Sequence, residues 1–151
     1  MTGRILVGVD GSEGSLHALR WAVEEAAVRG ADVVAVAVWQ SPYDYLFGAE
    51  GAYVPVDEGL LVRGAKETLA QAIATVAAEH PDVRIEPLVV EGDPAETLCE
   101  QADDADLLVV GSRGRGAFGG LLLGSVSSKC AHHCRRPVLI VPSPDRERAH
   151  E

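Results

Sequence analysis

The chain has 151 residues, enough for one ordinary domain with a full hydrophobic core. Apolar residues make up 47%, which excludes a disordered chain, and the formal charge of −10 disfavours nucleic acid or anionic membrane as partner, because those surfaces require a basic face. The three cysteines, Cys99, Cys130 and Cys134, are odd in number and too sparse for a disulfide scaffold, so a reducing, cytoplasmic setting is expected.

The N-terminal apolar run, about five residues long, is too short for a signal peptide or a membrane span. Residues 4–10 (RILVGVD) read as a buried strand ending in a turn signal, Asp-Gly-Ser. A helix is predicted over 12–29, with Leu19, Ala22, Val23 and Ala26 on one stripe and Gly30 as its stop. Residues 32–39 are apolar on both faces, the pattern of a parallel strand covered on each side. A long connection, 40–57, follows, broken by Pro42, Gly48, Gly51 and Pro55. Five of the seven aromatics (Trp39, Tyr43, Tyr45, Phe47 and Tyr53) fall between positions 39 and 53. They are read either as a lid over a ligand or cover for a partner subunit, or as local packing of the loop.

A second helix is predicted over 58–79, with Ala65, Leu69, Ala72, Ile73 and Val76 on one stripe, and a third strand over 83–90. Asp93-Pro94-Ala95-Glu96 has an acidic N-cap, proline at the first helical position and Glu at the third, which starts a helix running to Ala102. Residues 106–110 form strand four, 112–123 a glycine-rich loop, 125–134 helix four and 137–141 strand five. The alternation of strands and helices implies a three-layer α/β/α sandwich on a five-stranded parallel sheet, Rossmann-like in the broad sense. One domain is expected over 1–144, with a charged tail over 145–151.

The loop after strand four carries the most specific signal. Gly111 and Gly114 are followed by nine residues and then Gly124-Ser125. Glycines let backbone N–H groups approach phosphates, and the first turn of a helix adds unpaired donors and the positive end of its dipole. Ser125 and Ser127 add hydroxyl donors. The loop also spells G-x-G-x-x-G at Gly114, Gly116 and Gly119, but no helix opens at the third glycine and no acid follows about 20 residues on, so a dinucleotide fingerprint is rejected. No P-loop lysine is present. The bland alternative is a flexible connector.

The pattern G-x-x-G, nine residues, G-[S/T] resembles that of the universal stress protein family in its ATP-binding branch. The likeness extends over nearly the whole chain, through ILVGVDGS, ALRWAVEEA, VVAVAVW, GDPAETL and GSVSSKCAHHCRRPVLIVP. It implies strand order 3-2-1-4-5 and a ligand crevice at the switch point between strands one and four. By this resemblance Asp10 lies near the ribose, the Val38 backbone contacts adenine, and Val9 and Val110 line the adenine slot. Gly111, Arg113, Gly114, Gly124, Ser125, Val126 and Ser127 hold ribose and phosphates. Arg115, inside the same loop of an acidic chain, is a further phosphate candidate, and Mg2+ is expected with the phosphates. The resemblance also implies a homodimer paired through strand five, Val138 to Val141.

No catalytic constellation is legible, since hydrolysis requires a positioned base and a charge clamp on the γ-phosphate. A nucleotide-dependent signalling module is therefore preferred over slow ATP hydrolysis, nucleotidyl transfer or a purely structural dimer. Asp10 also suits a turn or cap ahead of the first helix. Cys130 and Cys134 lie four apart with His133 between them, a spacing open to metal, but buried helical cysteine is the preferred reading and no metal ligand is assigned. Arg135-Arg136 reads as a solvated turn.

Overall fold

The computed structural model describes residues 3–45, 55–114 and 123–144. Its strands are β1 (Arg4–Gly8), β2 (Asp32–Trp39), β3 (Ile85–Glu91), β4 (Leu107–Gly111) and β5 (Val138–Val141). Its helices are α1 (Glu13–Arg29), α2 (Glu58–Ala77), α3 (Pro94–Ala102) and α4 (Ser125–His133), with a single 3-10 turn at Pro42–Tyr45. The five strands form one parallel sheet in the order β3-β2-β1-β4-β5, as expected. Element edges differ from the sequence reading by at most two residues, because caps and ladder hydrogen bonds set them more finely than periodicity does.

Strand alternation divides the core into two layers. Ile5, Val7, Val33, Ala35 and Val109 face α1 and α2, where they meet Ala18, Leu19, Ala22, Leu69 and Val76. Leu6, Val34, Val36, Leu108 and Val110 face α3 and α4, against Ala95, Leu98, Ala102 and Cys130. The central strands are covered on both sides, which is why they carry continuous apolar runs. On α1 the buried face is rich in small residues, Ala18, Ala22 and Ala26, so the helix lies close on β1 and β4.

The caps follow the sequence signals. Ser12 accepts from the Ser15 N–H at 3.1 Å, and Asp93 from the Glu96 N–H at 3.1 Å. Gly30 closes α1 at φ 65°, with its N–H on the Ala26 carbonyl. Arg136 is not merely solvated: Nε and Nη2 donate to the Asp103 carbonyl at 3.1 and 2.9 Å, closing the end of α3. The 40–57 connection is tied at its described ends, where Ser41 donates to Glu58 at 2.6 Å and the Tyr43 hydroxyl accepts from the Val56 N–H at 2.8 Å. Tyr43 thus packs the loop on itself, whereas Phe47 and Tyr53 lie outside the described residues.

The cysteine reading needs correction. Cys99 of α3 and Cys134, just past α4, form a disulfide with Cα atoms 4.9 Å apart. Cys134 is half-buried at the C-cap and not a core helical residue. The pairing was illegible because Cys99 lies 35 residues away in sequence and only the packing of α3 on α4 brings it near. Cys130 is the free, buried thiol. Burial, and then the charge of Asp93, push its pKa from 9.0 up to about 11.

Two expectations follow. Ala22→Leu, which overfills a site with no exposed surface, costs about 1–3 kcal/mol in urea unfolding, while Val28→Ala at an exposed position stays within about 0.5 kcal/mol. Alkylating reagents at pH 8 leave the native, unreduced chain unlabelled, and unfolding without reductant exposes one thiol, Cys130. Because the folded pKa of that thiol is raised, its contribution to stability is present below pH 9 and is lost as pH rises through about 11.

Candidate functional site

The parallel ladder of β1 and β4 ends with both strands pointing to the same edge of the sheet. From there β1 leads into α1 on one face and β4 leads into α4 on the other. The diverging connections leave a crevice of about 630 Å³, inside the usual range for small-ligand sites. Of the residues singled out in the sequence, Val9, Asp10, Val38, Val110, Gly111, Arg113, Gly114, Gly124, Ser125, Val126 and Ser127 all line it. Arg115 lies outside the described residues, as do Gly116 and Gly119 of the rejected fingerprint.

The crevice has an apolar part and a polar part. Val9, Val36, Val38, Val110 and Leu98 supply apolar surface. Pro94 and Leu98, on the first turns of α3, were missed because no local motif ties them to the loop after β4. Gly8 makes the room: a Cβ there would stand 2.9 Å from Leu98 Cδ1.

The polar part is built on Asp10 and the N-terminus of α4. The Asp10 carboxylate accepts from the Ser12 N–H at 2.9 Å and from the Ser12 hydroxyl at 2.5 Å, while its own N–H donates to Ser15 Oγ at 3.2 Å. It is the single acidic side chain lining the crevice among the described residues. Opposite, α4 starts at Ser125 behind Gly124, whose extended backbone provides no side-chain cap. The first-turn N–H groups of Ser125, Val126 and Ser127 precede the first intrahelical bond, which Ser128 N–H makes to Gly124 O at 3.0 Å. They are donors held at the positive end of the helix dipole.

Two side chains have roles beyond those foreseen. The Ser127 hydroxyl donates inward to the Ser112 carbonyl at 2.7 Å, with Gly124 O also in reach at 3.2 Å, so it braces the loop onto α4. Arg113 lines the crevice while its guanidinium donates to Ser143 Oγ at 3.3 Å, which ties the loop to the segment after β5.

Close backbone approach explains three of the glycines. A Cβ on Gly114 would stand 2.5 Å from Asp10 Oδ2, so the absence of a side chain lets the loop close on that carboxylate. A Cβ on Gly14 would meet the Arg113 carbonyl at 2.7 Å, and one on Gly111 would meet Gly14 backbone at 3.0 Å. Gly14 was missed in the sequence, where it reads as an ordinary first-turn residue. At Gly124 the nearest neighbour is 3.4 Å away, an ordinary contact, so its value lies at the N-cap and not in clearance. Gly14→Ala therefore costs about 1–3 kcal/mol in urea unfolding, while Gly124→Ala costs no more than about 1 kcal/mol.

Comparison with known proteins agrees with this architecture. Residues 1–142 match the model of the universal stress protein family. A universal stress protein of Mycolicibacterium smegmatis is 40% identical over 137 residues, which cover 91% of this chain and 45% of that protein. The chain thus spans about half the length of the curated relatives it matches. A universal stress protein crystallised in complex with cAMP superposes with TM-score 0.61 and 32% identity, over 94% of this chain and 98% of the other. The universal stress protein of Archaeoglobus fulgidus in complex with dAMP superposes with TM-score 0.64 and 27% identity, over 93% and 98%. With the sheet order, the glycine loop and the family match in agreement, this chain belongs to the universal stress protein family.

Proposed function

We propose that this chain holds ATP, or a related adenine nucleotide, in the crevice between β1 and β4, and that it works as a nucleotide-dependent regulatory module in a stress response. The observation that carries the reading is the pairing of two unlike walls. Unpaired N–H donors of Ser125, Val126 and Ser127 stand on one side, and a carboxylate held by Ser12 stands on the other. Phosphates suit the first wall and ribose hydroxyls, as donors to Asp10, suit the second. The base lies among Val9, Val38, Val110 and Leu98, with the Val38 backbone at its polar edge. Gly111, Gly114 and Gly124 leave the phosphates a path to the backbone, and Arg113 and Arg115 add charge. The complexes of family members with cAMP and dAMP support an adenine nucleotide.

A chain with net charge −10 needs local neutralisation to hold a polyphosphate, so Mg2+ accompanies the phosphates. Binding is favoured over hydrolysis because Asp10 is already committed to the Ser12 N–H and hydroxyl. Residues 1–144 act as the nucleotide-binding unit, in the cytoplasm; among the described residues no helix is long and apolar enough to cross a membrane. β5 lies at an edge of the sheet with Val138, Leu139 and Ile140 half-buried, and pairs with a second copy.

Calorimetric titration with ATP and Mg2+ gives one site per chain, and no heat of binding at millimolar ATP overturns the reading. Gly114→Ala, whose Cβ displaces the Asp10 carboxylate, weakens binding about tenfold, near 1.4 kcal/mol. Titrations with AMP and cAMP alongside rank the phosphate requirement. Light scattering at micromolar concentration returns the mass of a dimer, and a monomer removes the pairing through β5.

A further inference from the structure

The second site lies at the other end of α4. Cys99, Cys130 and Cys134 place their three Sγ atoms within 4.8 Å of one another, between α3 and α4. Cys130 lies on α4, Cys134 follows four residues later at its C-cap, and Cys99 is brought to them from the facing helix. Once reduced, three sulfurs so placed have the donor type and number that a thiolate metal centre uses. A cavity of about 410 Å³ opens beside Cys99, lined also by His133, Asp93, Glu96, Lys129 and Arg135, among others. It offers nitrogen and oxygen donors on the solvent side, and two cationic side chains to offset thiolate charge.

We infer that these three cysteines form a redox-gated Zn2+ site, open when all three are reduced and closed by the Cys99–Cys134 disulfide. A Zn–S bond of about 2.3 Å in tetrahedral geometry sets sulfurs about 3.8 Å apart, so a cluster already within 4.8 Å needs side-chain rotation and not rearrangement of the helices. The fourth position is left to water, which reaches the Cys99 side of the cluster from the cavity. Opening the site takes two electrons and two protons from a dithiol, which leaves as its own disulfide while the Cys99–Cys134 bond breaks to two thiols. Binding then exchanges the three thiol protons for one Zn2+, with the protons released to buffer. The disulfide removes two of the three ligands, so oxidation and metal binding exclude each other. This differs from the sequence expectation, which weighed Cys130 and Cys134 with His133 and assigned no metal ligand; Cys99 enters through tertiary packing.

The inference is independent of the nucleotide reading. It is tested on the full chain, reduced with dithiothreitol, desalted without oxygen, and titrated with Zn2+ against a chromogenic chelator. The reduced chain takes up one Zn2+ with release of protons, and the oxidised chain takes up none. Co2+ in place of Zn2+ gives thiolate-to-metal charge-transfer absorption in the near ultraviolet. Losing an outer-shell partner already weakens metal binding about 10- to 100-fold, and losing a thiolate ligand costs at least that, so Cys130→Ser and Cys99→Ser each show that loss. Cys99 is half-buried, so its variant remains informative if the buried Cys130→Ser fails to fold. Equal Zn2+ uptake by reduced and oxidised chains, or wild-type affinity in either variant, overturns the inference.

Discussion

The parallel hydrogen bonding of β1 to β4 is the constraint from which the rest of the site follows. It sends both carboxyl ends to the same edge of the sheet. The chain leaves β1 toward the layer of α1 and α2, and leaves β4 toward the layer of α3 and α4. Two connections that depart to opposite faces cannot cover the gap between them. The crevice is therefore a consequence of strand order, and its walls are whatever residues end those strands. Asp10 lies just past the end of β1, and Gly111 ends β4.

Strand order opens the crevice, but its width still has to be set. That is the work of close backbone contact. The loop after β4 lies against the first turn of α1 at Gly14, and over the Asp10 carboxylate at Gly114. The Ser127 hydroxyl then fastens the same loop to α4 through the Ser112 carbonyl. The small residues of α1 act at longer range, since they set how closely that helix lies on β1 and β4. Donor placement in the cradle is thus fixed by packing on both sides of the sheet.

Helix α4 links two chemistries. Its N-terminus presents free backbone donors to the crevice, and its C-terminal end carries the sulfur cluster shared with α3. With nine residues it is a short, stiff element, so a covalent tie at Cys134 constrains the whole helix against α3. The two ends differ in how they form. The backbone donors themselves arise from the local start of a helix after a glycine, whereas the sulfur cluster needs a second helix packed alongside.

The sequence by itself determined the layered fold, since continuous apolar runs separated by amphipathic helices admit a parallel sheet covered on both faces and little else. It also determined the local start signals: Ser12, Asp93 with Pro94, and Gly30 act over a few residues and are read without knowledge of the fold. The glycine-rich loop after β4 was legible for a related reason, because its glycines and serines mark a strand end and a helix start, whereas Val9, Asp10 and Val110 were placed at the crevice by the family resemblance. Tertiary structure alone decided what depends on distant segments meeting. Leu98 and Pro94 enter the crevice because α3 packs beneath it, and Gly14 matters because Arg113 arrives from about a hundred residues away. Ser127 turns its hydroxyl inward because the Ser112 carbonyl waits there. Cys134 finds Cys99 across 35 residues because two helices lie side by side on one face of the sheet. Periodicity and caps are properties of a short stretch of chain, and contacts of this kind are not.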